Sequence, residues 1–327
     1  MSKRYFLATH TDLDGVGCAV LAYLAFGEEN VDVEYCDYKD IDKKVMVLGD
    51  NSELYKSYDK IFITDISVSE RLAQDLDIAC DHKKITLLDH HATAEYLNKY
   101  DWCNVRVTDE CGVKTSGTMM FFRYLSHRGF FNKYNERVRL NICKFAKTVR
   151  DYDTWRWKEV LSEEEGIVCK QLNDLFHIYG RGQFIEWANH IIRVRDVFPM
   201  FDMTDVTLLE NKQKDIDNYI AMKNKQLMTV KDNFGYTCGV VFAERYMSEL
   251  GNRLSELHPE LDYIAMIDIG FGGVSYRTVR EDIDLGGTVA HSFGGGGHRK
   301  AAGSSFDVGA IKDAVIHFIF DIDSIIA

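Results

Sequence analysis

Residues 5–26 read YFLATHTDLDGVGCAVLAYLAF, and the order of residue types along them sets the fold. Tyr5 to His10 is a short apolar run with the length of a buried strand, and GVGCAVLAYLAF continues as an apolar helix. Between them stand His10, Asp12 and Asp14, at i, i+2 and i+4. An extended backbone turns all three toward one side. Gly15 then permits the tight bend into the helix.

Outward from this unit the same alternation repeats. VDVEYCDY from Val31 alternates as a strand; after a polar stretch come KIFITDIS from Lys60, SVSERLAQDLDIA with helical spacing, and KITLLDHH from Lys84. Strands alternating with helices imply a mainly parallel, doubly wound sheet. In such sheets ligands gather at the carboxyl ends of the strands. From Thr115 to about Val149 the pattern is helical, and the acidic run LSEEEGI reads as a solvated helix turn or loop. Asp205 to Lys231 reads as a connecting helix, YTCGVVFAE and YIAMIDIGFGGVSYRTV as strands, and Gly309 starts a terminal helix. The expected organisation is an α/β domain over 1–195, a linker helix over 196–232 and a smaller α/β domain over 233–327.

Composition narrows the function classes. A chain of 327 residues corresponds to about two domains at ~150 residues each. No apolar run approaches the ~20 residues of a membrane-spanning helix, and the start MSKRYFLATHTD meets polar residues too early for a secretory signal. Eight scattered cysteines without a C-x-x-C pair signal neither a zinc site nor a disulfide framework, so a reducing cytoplasm is the expected compartment. The net charge of −12 argues against coating long duplex DNA. It leaves room for a short nucleotide ligand.

The chemistry lies where acidic and histidine residues follow the strands. Asp65 follows KIFIT, while Asp89, His90 and His91 follow KITLL, so three strand ends deliver carboxylates and imidazoles to one edge of one sheet. Asp151, after the helix ending in KFAKTV, adds a fourth source. Any one Asp after a strand is usually a turn former or helix cap. Converging carboxylates, however, repel one another, and a cation is the simplest compensation. Mixed carboxylate and imidazole ligands suit manganese or a similar transition ion better than calcium.

Two stretches carry a family resemblance. H-T-D-L-D-G at residues 10–15 with D-H-H at 89–91 resembles the DHH phosphoesterase superfamily, and SFGGGGHRKAAG at 292–303 resembles the glycine-rich motif of the accompanying DHHA1 domain. The resemblance implies a two-metal, manganese-dependent phosphodiesterase. By it, His10, Asp12 and Asp65 correspond to ligands of one metal, and Asp14, Asp65, His90 and Asp151 to those of the other, with Asp65 bridging. His91 corresponds to the non-ligand histidine beside the scissile phosphate, and Asp89 to the residue that orients it. The fourth motif reads R-D-Y-D-T-W, so Asp153 competes with Asp151; Asp151 is preferred because it directly follows an apolar helix end.

In the second domain, Gly295, Gly296, Gly297, His298 and Arg299, with Arg277 about twenty residues earlier, correspond to substrate-binding residues. Backbone N–H groups of a glycine run and a guanidinium both suit phosphate. Met119, Met120, Phe121 and Phe122 read as core; Tyr152, Trp155 and Trp157 stand open between base stacking and interdomain packing. The implied substrate is a short single-stranded RNA or DNA, as in the nanoRNase branch, extending to 3'-phosphoadenosine 5'-phosphate. The alternatives are a cyclic-dinucleotide phosphodiesterase and a catalytically silent nucleic-acid scaffold, against which the complete ligand motifs weigh. No membrane and no long duplex is an expected partner, and a homodimer is left open.

Overall fold

In the computed structural model, which describes residues 3–50, 52–79, 81 and 83–320, the early apolar runs become parallel strands. These are β1 (Tyr5–Thr9), β2 (Val31–Tyr35), β3 (Lys60–Thr64), β4 (Ile85–Asp89) and the short β5 (Cys103–Val105), ordered β2-β1-β3-β4-β5. Successive side chains leave on opposite faces: Tyr5 and Leu7 enter one core, Phe6 and Ala8 the other. A sheet covered on both faces needs this continuous apolar character. The chain folds, as expected, as an α/β protein with a doubly wound N-terminal sheet.

The helices α1 (Leu13–Phe26), α2 (Ile41–Asp50), α3 (Ser52–Ser57), α4 (Glu70–Ala79), α5 (Gly117–His127), α6 (Glu136–Asp153), α7 (Arg156–Glu159) and α8 (Glu163–Val194) complete this part. α1 packs against α5, α6 and α8, which explains an apolar helix with most of its residues buried. Met119, Met120 and Phe121 are core, as expected, and Phe122 packs against it. The acidic run takes the first of its two expected readings, a solvated helix turn, and the polar stretch gains two helices. The polar stretch before Lys60 contains α2 and α3. The acidic run at 161–167 is the start of α8, where Ser162 and Glu165 form a capping box.

Contacts divide the chain into two compact units, Met1–Leu209 and Glu210–Ala327. The boundary falls inside α9 (Met203–Asn224), within the stretch 196–232 expected to link the two domains. The connecting helix stops before Lys231. Residues Met228–Lys231 form β6, the edge of a second sheet, where alternating Met-Thr-Val-Lys pairs with β7 (Thr237–Phe242). α10 (Met247–Leu257), β8 (Tyr263–Asp268), β9 (Gly273–Arg277), β10 (Gly296–His298) and β11 (Ala301–Ser305) follow, in the sheet order β10-β11-β9-β8-β7-β6. α11 (Gly309–Phe320) is the expected terminal helix; the residues after it lie outside the described ones. The described cysteines are all free. Among the described residues no helix is long and apolar enough to cross a membrane.

Candidate active site

Strand order reverses between β1 and β3, and the polar side chains collect at the carboxyl ends there. Asp12 caps α1, its Oδ1 accepting from the N–H groups of Asp14 and Gly15 at 3.1 Å each. Its Oδ2 meets His10 Nδ1 at 2.9 Å. Burial works to raise the Asp12 carboxyl, but the bonded His10 ring outweighs it and leaves the group below its ordinary value; the same bond raises His10. Gly15 is required by space: a Cβ there would lie 2.2 Å from the His10 carbonyl oxygen.

Asp14 is 1% exposed and is held by a helix that begins a hundred residues later. The N–H groups of Gly117 and Thr118, in the first turn of α5, donate to its two oxygens at 2.6 and 3.0 Å. A helix N-terminus stabilises a carboxylate in this position.

Asp65 stands at the centre. Its φ of 58° is left-handed, an uncommon conformation for a non-glycine residue that marks functional sites when the surroundings enforce it. Gly117 helps to enforce it, since a Cβ on Gly117 would fall 2.4 Å from that of Asp65. Asp65 is 1% exposed, and its Oδ2 has no hydrogen-bond partner. Burial first, then Asp14, Asp12 and Asp153, raise its carboxyl well above the usual range. An unpartnered buried carboxylate oxygen costs stability unless a cation or donor reaches it.

His90 Nε2 links the rest, lying 3.2 Å from Asp65 Oδ1, 3.7 Å from Asp14 Oδ2 and 3.5 Å from Asp153 Oδ2. Burial together with Asp14, Asp12 and Asp89 pushes Asp153 up to about 9. Ligand atoms of His10, Asp12 and Asp65 form one compact group and those of Asp14, His90 and Asp153 another, each within 4.8 Å. A third group joins Asp65 and His90 to Asp89 and His91, so Asp65 is shared.

Asp151, the preferred fourth-motif residue, is not in these groups. Its Oδ1 accepts from Arg150 Nη2 at 2.7 Å and Arg156 Nε at 3.0 Å, an ion-paired position that leaves no charge to compensate. Asp153 takes the place expected for Asp151. Next to the cluster, Asp89 Oδ1 accepts from His91 Nδ1 at 2.7 Å and from the His90 N–H at 2.8 Å, and its Oδ2 from Ser67 at 2.5 Å. Burial would raise Asp89, but the bond and charge of His91, the Ser67 hydroxyl and the charge of His90 together lower it; the same bond raises His91.

The pattern of the DHH family, N-terminal domain, matches residues 4–146. Oligoribonuclease NrnB of Bacillus subtilis (strain 168) is 35% identical over 302 residues, 92% of this chain and 72% of that protein. This chain belongs to the DHH family. It is a DHH-type phosphoesterase and a metal-dependent hydrolase. In fold, the DHH chain is similar to PggH, a pGpG-specific phosphodiesterase from Vibrio cholerae (TM-score 0.53, 14% identity, 97% and 99% of the two chains covered). It is likewise similar to RecJ from Thermus thermophilus, solved in complex with Mn2+ (TM-score 0.53, 12% identity, 99% of this chain and 53% of that one).

Within the second unit of this DHH protein, Arg277 ends β9 and is half-buried, its Nη2 donating to Ser248 Oγ at 3.1 Å. The glycine run passes from a turn into a strand, with Gly296 and Gly297 opening β10. A Cβ on Gly295 would lie 2.1 Å from the Gly303 carbonyl oxygen, and one on Gly297 2.6 Å from Ala302 Cα, so close approach of β10 and β11 needs glycine. Gly296 and His298 are exposed on β10. Arg299 and Lys300 are engaged in part by Glu281. Tyr152, Trp155 and Trp157 stack on one another beside the end of α6.

Sequence reasoning missed Tyr38. Its hydroxyl lies 3.1 Å from His91 Nε2 and its ring 5.2 Å from that of His10. No motif surrounds it; only the strand end at Tyr35, three residues before, could have drawn attention to the loop.

Proposed function

We propose that this chain is a manganese-dependent phosphodiesterase that hydrolyses short single-stranded oligonucleotides, its activity extending to 3'-phosphoadenosine 5'-phosphate. The observation that carries the reading is Asp65: strained, buried and with an unpartnered oxygen, it is shared by the group of His10 and Asp12 and the group of Asp89, His90 and His91. His10, Asp12 and Asp65 would hold one divalent cation, and Asp14, Asp65, His90 and Asp153 a second. The donor set, imidazole with carboxylate, fits manganese. Bound divalent cations supply Lewis acidity that offsets phosphate charge and makes water a nucleophile near neutral pH.

The protein's own groups supply the remainder. The α5 N–H groups hold Asp14 in one rotamer, and Asp89 fixes His91 through Nδ1. Nε2, now met by Tyr38, is then the nitrogen that faces a phosphate or leaving oxygen. His91 is thereby a proton donor at the leaving oxygen. Arg277 and His298, with the β10 backbone, bind a terminal phosphate or base. The substrate class is that in the name of the 35% identical relative.

The test is a panel of labelled RNA and DNA strands from two to about twenty nucleotides, cyclic dinucleotides and 3'-phosphoadenosine 5'-phosphate, with metal content measured in parallel. Manganese-dependent cleavage with the highest kcat/KM on two- to five-residue strands is expected. Preference for a twenty-mer, or a chain that binds manganese and cleaves nothing, refutes the reading.

A further inference from the structure

Beside His91, and entirely within the first unit, lies a cavity of 220 Å³ that the metal-facing groups do not use. Tyr38, Asp42, Ser67, Thr93 and Tyr96 line it together with the catalytic pair. The volume is below the ~300–1,000 Å³ of pockets that take whole drug-sized ligands, and suits a fragment such as one planar ring system. Tyr38 and Tyr96 are 58% and 44% exposed, so two aromatic side chains stand uncovered at its walls. The hydroxyl of Tyr38 rests against His91 Nε2, which holds its ring at the pocket wall before any substrate arrives.

Asp42 gives the cavity a direction. Its Oδ1 accepts from the Ser69 N–H at 2.8 Å at the start of α4. Its other oxygen makes no hydrogen bond or ion pair among the described residues. A carboxylate accepts and cannot donate, so the pocket calls for a ring with N–H groups on its edge. Guanine presents two adjacent donors, N1–H and the 2-amino group, to one carboxylate. Adenine and cytosine present one amino group beside an acceptor, and uracil one N–H flanked by carbonyls that the carboxylate repels.

We propose that this pocket holds the nucleobase next to the scissile phosphate, laid on the Tyr38 ring and read at its donor edge by Asp42, so that guanine is preferred and uracil rejected. The proposal rests on the oligonucleotide reading and deepens it. Base stacking on an aromatic ring tolerates any base, which leaves discrimination to Asp42.

The experiment compares pGpG, pApA, pCpC and pUpU with manganese-loaded protein, and titrates GMP and UMP calorimetrically into metal-free protein. Wild type is expected to favour pGpG over pUpU in kcat/KM by about tenfold or more, and GMP over UMP in affinity by a similar factor, because the wrong edge leaves a half-buried carboxylate facing carbonyls. Asp42→Asn keeps an oxygen for the Ser69 N–H and should compress both ratios to about threefold or less. Tyr38→Ala, at an exposed position outside the cores, should raise KM for all four substrates more than it lowers kcat, while Tyr38→Phe retains KM. Equal kcat/KM for the four bases, or discrimination that survives Asp42→Asn, overturns the proposal. If no dinucleotide is cleaved, the oligonucleotide reading falls, and the calorimetry alone decides the pocket: equal GMP and UMP binding overturns it, and a guanine preference lost in Asp42→Asn supports it.

Discussion

Replacing Asp153 by Asn should make the metal-free protein more stable while weakening its response to metal. Asp153 Oδ2 lies 3.5 Å from His90 Nε2, and the ligand atoms of Asp14, His90 and Asp153 lie within 4.8 Å of one another. Two ionised carboxylates at that spacing repel by about 3 kcal/mol at an effective dielectric constant near 20. The folded protein avoids part of this cost by keeping Asp153 protonated, its carboxyl pushed up to about 9. A carboxyl raised on folding binds more protons in the folded state. Stability is therefore greatest below the unfolded value near 4 and declines as pH rises toward 9.

Asn keeps the shape and removes the charge. After allowance for relaxation and for sharing of the proton among the cluster, a gain of about 2 kcal/mol near pH 7.5 is expected, or a rise of ~4–8 °C in Tm for a domain of this size. Thermal melts of EDTA-treated wild type and Asp153→Asn from pH 5 to 9, each with and without manganese, measure this. Wild type should lose stability toward pH 9 and regain it with metal; the variant, in which Asp65 stays raised and the group of His10, Asp12 and Asp65 stays intact, should do each to a smaller extent. An unchanged or lower Tm for the metal-free variant, or a manganese shift equal to that of wild type, would remove Asp153 from the metal-facing cluster.

Asp65→Asn is tolerated by the left-handed backbone, so the fold should persist while elemental analysis shows loss of bound manganese and turnover falls below detection; a full metal complement would remove Asp65 from its shared position. His91→Ala should retain manganese and lower kcat on the order of 10²-fold or more, whereas loss of metal would make His91 a ligand. Gly117→Ala places a methyl group 2.4 Å from Asp65 Cβ. Overpacking of about 1–3 kcal/mol in denaturant melts is expected, with weakened metal binding; a variant with native stability and metal content would show that α5 does not set the Asp65 conformation.

Elements with short-range signals were legible in the amino-acid order alone. Apolar runs bounded by polar side chains marked the strands from Tyr5 to Asp89, because a strand buried on both faces must be continuously apolar. The i, i+2, i+4 placement of His10, Asp12 and Asp14 set their common side, because the extended backbone has a period of two. The motif pair at residues 10–15 and 89–91 then pointed to the family.

The choice between Asp151 and Asp153 needed the packed molecule. Two residues apart on a helix, they point to nearly opposite sides, and the apolar end of α6 does not say which side faces the sheet. Packing of α6 against α1, α5 and α8 does, sending Asp151 to Arg150 and Arg156 and Asp153 to His90. The same holds for Asp14, whose partners are N–H groups more than a hundred residues away. Tyr38 reaches His91 across 53 positions from a loop with no periodicity to read. Local pattern fixes which face a side chain takes; which partner waits there depends on how separate elements close on one another, and that is written only in the packing.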